Sequence, residues 1–183
     1  IRLSEVELFK NYALVISTNA GLWRYLIGDT VRFTSLKPYR IRVSGRTKHH
    51  INVFGEELMV ENTDKAIAKA CQLTQTEVVD YTVAPIFMEG KEKGAHEWMI
   101  EFKKHPTDIN QFQKILDDTL QSLNSDYEAK RYNNMTLNPL VINLARKNLF
   151  YDWLKDHNKL GGQHKIPRLS NQRDYLDQLK SFY

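Results

Sequence analysis

Apolar residues gather over the first 46 positions in four short β-rich runs, 12–17, 22–27, 30–34 and 39–43, the longest apolar stretch being Tyr12–Ile16. Turn-forming groups separate them: Asn19-Ala20-Gly21, Gly28-Asp29 and Lys37-Pro38. Short β-rich runs bounded by such residues predict strands joined by turns, with no helix among them. Gly28-Asp29 is a hairpin dipeptide, so the pattern places Asp29 on a tight turn between two strands. Four short strands without a helix bury too little surface to stand alone, and they read as the closing part of a larger β-structure.

From Thr47 the pattern changes. A short strand over 51–54 ends at Gly55, and Glu61-Asn62-Thr63-Asp64 offers caps for an amphipathic helix running to about Cys71. Strands follow at 77–83 and 96–102, the second alternating as Trp98, Ile100, Phe102. Thr107 is placed to cap a helix whose stripe Ile109, Phe112, Ile115, Leu116, Leu120, Leu123 has helical spacing and reads as core. A strand over 135–144 (Pro139 suggesting an edge or bulge), a helix over 149–157 and a closing helix over 172–182 complete the chain. This order predicts an α+β fold: a β-rich piece, 1–46, followed by a small domain, 47–183, with an antiparallel sheet packed by helices.

Composition narrows the class. With 183 residues, 42% hydrophobic and 26% charged, the chain has enough apolar content for a packed core. No apolar run approaches the roughly 20 residues of a membrane span, so no membrane partner is expected. The opening Ile1-Arg2-Leu3-Ser4-Glu5 has neither Met nor a signal-peptide layout, and is expected to be an interior cut point of a longer protein. Cys71 is the single cysteine and lies on a helical apolar stripe, which fits an inert buried thiol and a cytoplasmic location. Residues 1–46 hold eight Lys/Arg against three acids, whereas the remainder is almost balanced. The positive charge therefore belongs to the β-rich segment, where it either favours an anionic ligand or decorates solvent-facing strands.

Three groups of residues carry candidate chemistry. Asp29 on a rigid turn can accept hydrogen bonds from two neighbouring hydroxyls, as ribose recognition requires. Gly45-Arg46-Thr47-Lys48 ends the last β run, and Gly161-Gly162-Gln163-His164-Lys165-Ile166-Pro167-Arg168 lies far downstream. The Glu89–Gly94 stretch has two glycines around lysines, yet lacks the spacing and the terminal Lys-Ser/Thr of a phosphate loop. His49 and His50 alternate across a strand and so cannot chelate one metal, and no metal-ligand spacing is present.

Residues 20–35, Ala-Gly-Leu-Trp-Arg-Tyr-Leu-Ile-Gly-Asp-Thr-Val-Arg-Phe-Thr-Ser, resemble the Tyr-Arg-x-Gly-Asp element of adenylate-forming enzymes, the superfamily of acyl-CoA synthetases and firefly luciferase. Ala-Gly-Leu ahead of Arg-Tyr and Val-Arg behind Gly-Asp make the likeness more particular. The chain resembles the auxin-responsive-promoter family of acyl-acid amido synthetases, over the C-terminal third or so of such an enzyme. Phe54-Gly55-Glu56 resembles that family's Phe-Gly-Glu segment, and Gln163 to Arg168 its Gln-x-Lys-x-Pro-Arg segment. Trp23 stands where a tyrosine is common in the first element.

The resemblance implies roles. Asp29 would hold the ribose hydroxyls of ATP, Arg46 would contact the ribose or α-phosphate, and Tyr25 and residues 54–57 are further candidates to line the site. Lys48 matches the hinge on which the small domain turns, and Lys165 the catalytic lysine that stabilises charge during adenylation. The implied activity joins a carboxylic acid to an amine or amino acid through an acyl-adenylate, with ATP and with Mg²⁺ held mainly by the rest of the large domain. The family's phosphate loop, adenine-binding segment and acid pocket are absent from these residues, so the segment is expected to be inactive by itself. Two other readings stay open. Arg24, Arg32, Arg40 and Arg42 with Trp23, Tyr25, Phe33 and Tyr39 suit a nucleic-acid module, although no known nucleic-acid motif occurs, and a non-catalytic interaction domain would carry the same residues.

Overall fold

A computed structural model describes residues 1–46, 50–90, 92–132, 136–161 and 165–182. They form two compact units, Ile1–His49 and His50–Tyr183.

The first unit is an antiparallel sheet in the order β1-β2-β3, with β1 at Asn11–Ile16, β2 at Tyr25–Leu36 and β3 at Tyr39–Arg46. The expected turn at Gly28-Asp29 does not exist. The runs over 22–27 and 30–34 form the single strand β2, and the hairpin is made by Lys37-Pro38, between the paired residues Leu36 and Tyr39. Gly28 is what permits continuity: it adopts φ +90°, open to glycine without strain, and carries the strand through an irregularity instead of reversing it. Among the unit's apolar side chains, Val31 and Phe33 are buried, with Phe33 edge-on to Tyr12 and Tyr39. Trp23, Tyr25, Leu26, Ile41 and Val43 are exposed. The described strands thus bury little apolar surface among themselves.

The second unit is α+β in three layers. Its sheet runs β6-β7-β8, with β6 (Glu77–Ile86) antiparallel to β7 (Ala95–Lys104), while β8 (Val141–Ala145) joins β7 in parallel. The strand expected over 135–144 is thus shorter and later, and residues 133–135 lie outside those described. A small pair, β4 (His50–Ile51) and β5 (Leu58–Met59), replaces the expected strand over 51–54, because positive φ at Gly55 and Glu57 turns the chain back before Phe54 can pair. Helix α1 (Val60–Thr74) begins directly after β5, and the Asn62 side chain accepts from the Met59 N–H at 3.0 Å. Helix α2 (Ile109–Leu123) is capped by Asp108, not Thr107: its carboxylate accepts from the N–H groups of Asn110 and Gln111. Helix α3 (Ser125–Arg131), absent from the sequence reading, is pinned to α2 where Asp117 accepts from Tyr127 and Arg131.

Alternation along β7 sorts the layers. Trp98, Ile100 and Phe102 face α1 and α2, meeting Ala66, Ala70, Phe112, Leu116 and Leu120. Met99 faces the other way, onto Leu149, Phe150 and Trp153 of α4 (Leu149–Asp156) and Leu179 of α5 (Asp174–Ser181). Each such fully buried side chain stabilises the unit by about 1.5–3 kcal/mol. Glu97 and Glu101 share the parity of Met99 and are buried as well. Glu97 accepts from Arg173, Lys180 and Asn143, and Glu101 from the Asn148 N–H, so α4 and α5 supply partners for the charges they cover.

Candidate functional site

Asp29 stands opposite Arg46 in the β2–β3 ladder. Registers shift on both sides of this point. Ala13 pairs with Thr30 but Val15 pairs with Leu26, so residues 27–29 bulge against Leu14. On the other edge Thr30 pairs with Gly45 while Val31 pairs with Val43, which leaves Ser44 as an extra residue, its hydroxyl donating to Thr30 Oγ1 at 3.2 Å. Breaks in register on both edges of a strand re-aim the side chains at the irregularity, a recurrent device beside binding sites. Asp29 is half-buried there, and Tyr25 is exposed four residues earlier on the same strand. Asp29, expected on a tight turn, thus sits within a continuous strand. Lys48 lies outside the described residues.

In the second unit, Lys165 is exposed at the head of an anchored segment. Ile166 is buried in the cluster that contains Met99, Phe150 and Trp153. The Thr82 hydroxyl donates to the Pro167 carbonyl at 2.7 Å, the Val83 N–H to the Arg168 carbonyl at 2.9 Å, and the Ser170 N–H back to the Val83 carbonyl at 3.1 Å. Residues 167–170 therefore run parallel along the edge of β6, with Leu169 opposite Val83. Asn171 closes the anchor: it accepts from the Asn52 N–H and donates to the His50 carbonyl. Arg168 reaches Asp64 on α1 at 2.5 Å and lies over the Tyr81 ring. Tyr81 donates to the same Asp64 oxygen at 2.6 Å, and its hydroxyl is raised above its usual value by burial and by that carboxylate. Asp80 lies within electrostatic reach of Arg168 and Lys165, and burial pushes its carboxyl up. Asp80, Tyr81 and Thr82 carry no signal in the sequence and Asp64 reads there only as a helix-cap candidate, since pairs more than eighty residues apart leave no local pattern.

Of residues 54–57, Glu56 has a structural part. Glu56 is wholly buried and accepts from the Phe54 N–H at 2.7 Å, with His96 Nε2 2.8 Å away. Burial raises the Glu56 carboxyl, but the His96 contact and its backbone bonds outweigh that and hold it below the ordinary value. His96 in turn stacks on Tyr127. Glu56 is thus a structural tie between the β4–β5 turn and β7. Cys71 is half-buried against the main core, in keeping with a packing role. Among the described residues no three His, Cys, Asp or Glu side chains gather to hold a metal ion, and no helix is long and apolar enough to cross a membrane.

The GH3 family central domain matches residues 1–46 and the GH3 family C-terminal domain matches residues 61–174. The chain belongs to the GH3 family. It is 24% identical to the indole-3-acetic acid-amido synthetase GH3.3 of Arabidopsis thaliana, covering 99% of this chain and 32% of that protein. It is 27% identical to the jasmonoyl-L-amino acid synthetase GH3.5 of Oryza sativa subsp. japonica, covering 93% and 30%. Its fold is that of the corresponding part of the GH3.15 acyl acid amido synthetase, with a TM-score of 0.76 at 21% identity over 99% of this chain and 34% of that one. The chain spans about a third of the length of these relatives.

Proposed function

We propose that this chain is the closing third of an ATP-dependent acyl-acid amido synthetase, which activates a carboxylic acid as its adenylate and passes the acyl group to an amine or amino acid. The observation that carries this reading is that both GH3 domains match in order, 1–46 then 61–174, beside relatives named as amido synthetases over nearly the whole chain.

ATP is a substrate of the first half-reaction. Asp29 accepts hydrogen bonds from its ribose hydroxyls, Arg46 adds a cation toward the ribose or α-phosphate, and Tyr25 offers an aromatic face nearby. Lys165 neutralises charge at the α-phosphate and the attacking carboxylate, work suited to a flexible ammonium on a firmly held backbone. In this half-reaction a carboxylate oxygen attacks the α-phosphorus and pyrophosphate leaves. In the second, the amine nitrogen attacks the activated carbonyl, loses a proton and expels AMP, a far better leaving group than the original carboxylate oxygen. Residues 1–46 close the large nucleotide-binding domain, residues 47–183 form the mobile small domain, and Lys48 is the hinge. Mg²⁺ would be held by the phosphates and mainly by residues of the large domain, where it would neutralise phosphate charge, and the enzyme works in the cytoplasm.

Incubating the full-length protein with an acid, an amino acid and ATP is expected to yield amide, AMP and pyrophosphate in equal amounts, while the 183 residues alone yield none. Release of ADP and phosphate instead would contradict acyl-adenylate chemistry.

A further inference from the structure

The segment that follows Lys165 is clasped to α1 by a side-chain arrangement of which only Arg168 belongs to a motif in the sequence. Arg168 donates to Asp64 Oδ1, and Tyr81 donates to that same oxygen. The Tyr81 hydroxyl also lies 2.8 Å from the buried Thr63 hydroxyl, one residue before Asp64 on α1. The Tyr81 ring lies beneath the Arg168 guanidinium, 5.2 Å from its centre. One carboxylate oxygen thus gathers a helix, a strand and the loop, three residues beyond the lysine.

Stability does not account for the Asp64–Arg168 pair. Its side chains are 42% and 45% exposed, and ion pairs so open to solvent stabilise a fold by only about 0–1 kcal/mol. The backbone bonds to Thr82 and Val83 and the burial of Ile166 and Leu169 already hold the segment to the sheet. What the pair adds is direction. Without it, the loop stays attached at β6 and at the buried Ile166 but loses the tie that sets its tilt toward α1, and with it the approach of the Lys165 ammonium. A lysine that must meet a developing charge is sensitive to such freedom, because a displacement of about 1 Å can lower a rate by about 100-fold.

We infer that Asp64, acting through Arg168, is a positioning residue for Lys165 in the adenylation half-reaction. The inference rests on the role proposed above for Lys165 and adds to it a residue on a helix a hundred positions away in sequence.

The test uses Asp64→Asn and Arg168→Gln, introduced separately into the full-length protein, with Asp64→Glu as the conservative control. Acid-dependent exchange of pyrophosphate into ATP reads the first half-reaction, and aminolysis of supplied acyl-adenylate reads the second. Each of the first two variants is expected to lower the kcat of exchange about tenfold with the KM for ATP unchanged. Aminolysis should be untouched, and Asp64→Glu should recover most of the loss. Equal losses in both half-reactions, or full exchange activity in Asp64→Asn, would overturn the inference while leaving the role of Lys165 standing. Unchanged exchange in Lys165→Ala would instead remove the proposed role of the lysine, and the inference with it.

Discussion

Asp29 of β2 and Arg46 of β3 are cross-strand partners at a point where both ladders slip register. A carboxylate on such a bulge is held by two neighbouring strands, which gives it a fixed aim that a solvent-exposed turn does not. If it accepts from both ribose hydroxyls, each bond to the charged oxygen contributes about 1.5–3 kcal/mol. Asp29→Ala in the full-length protein is therefore expected to raise the KM for ATP and to erase its preference for ATP over 2′-deoxy-ATP. Steady-state kinetics with both nucleotides checks this, and an unchanged preference would remove Asp29 from the ribose.

The two units should differ in autonomy. Residues 50–183 carry two apolar clusters on opposite faces of a sheet, whereas residues 1–49 bury little beyond Val31 and Phe33. A polypeptide of residues 50–183 is expected to unfold in one cooperative thermal transition, and one of residues 1–49 to show none. Circular dichroism melts decide it.

Acid should loosen α5. Burial raises the Glu97 carboxyl, but hydrogen bonds from Lys180, Arg173 and Asn143 outweigh that and hold it below the ordinary 4.5. The unfolded chain then binds this proton more readily than the folded one. The stability contributed by Glu97 is complete above the unfolded value and is lost as pH falls through the lower folded value. Glu97→Gln is expected to destabilise the second unit by about 2 kcal/mol at neutral pH, less than a fully buried pair because Lys180 is half-exposed. The same substitution should flatten the fall in Tm on acidification, and an unaltered acid limb would show that other carboxylates govern it.

Gly94 keeps space for Phe54. A Cβ at this position would lie 2.5 Å from Phe54 Cε1 and Cζ and 3.2 Å from the Ile86 carbonyl oxygen. Gly94→Ala must displace a ring packed beside His96 and its buried Glu56 partner, at a cost of about 1–3 kcal/mol. Denaturant melts of residues 50–183 measure it, and a midpoint within error of the parent would contradict this packing.

Periodicity disclosed most of the second unit, because α2 and β7 each present one apolar face at the spacing of their own geometry. It missed α3, whose seven residues are held by tertiary bonds to Asp117 rather than by a stripe. It placed a turn at Gly28-Asp29 because glycine before aspartate satisfies a hairpin and a bulge equally well, and only the neighbouring strands decide between them. Lys165 lies in a motif, yet Tyr81 does not, and Asp64 reads only as a helix-cap candidate. Their side chains meet Arg168 across about a hundred residues, and no local pattern records a contact at that range.

Substituting Lys165 by alanine in the full-length protein, then following acid-dependent exchange of labelled pyrophosphate into ATP, probes the proposed adenylation chemistry most directly. Exchange is expected to fall by at least about 100-fold, as when a charge-stabilising donor is removed, while aminolysis of supplied acyl-adenylate continues. Exchange at the parent rate would contradict the account, since the anchored loop would then hold a lysine that adenylation does not use.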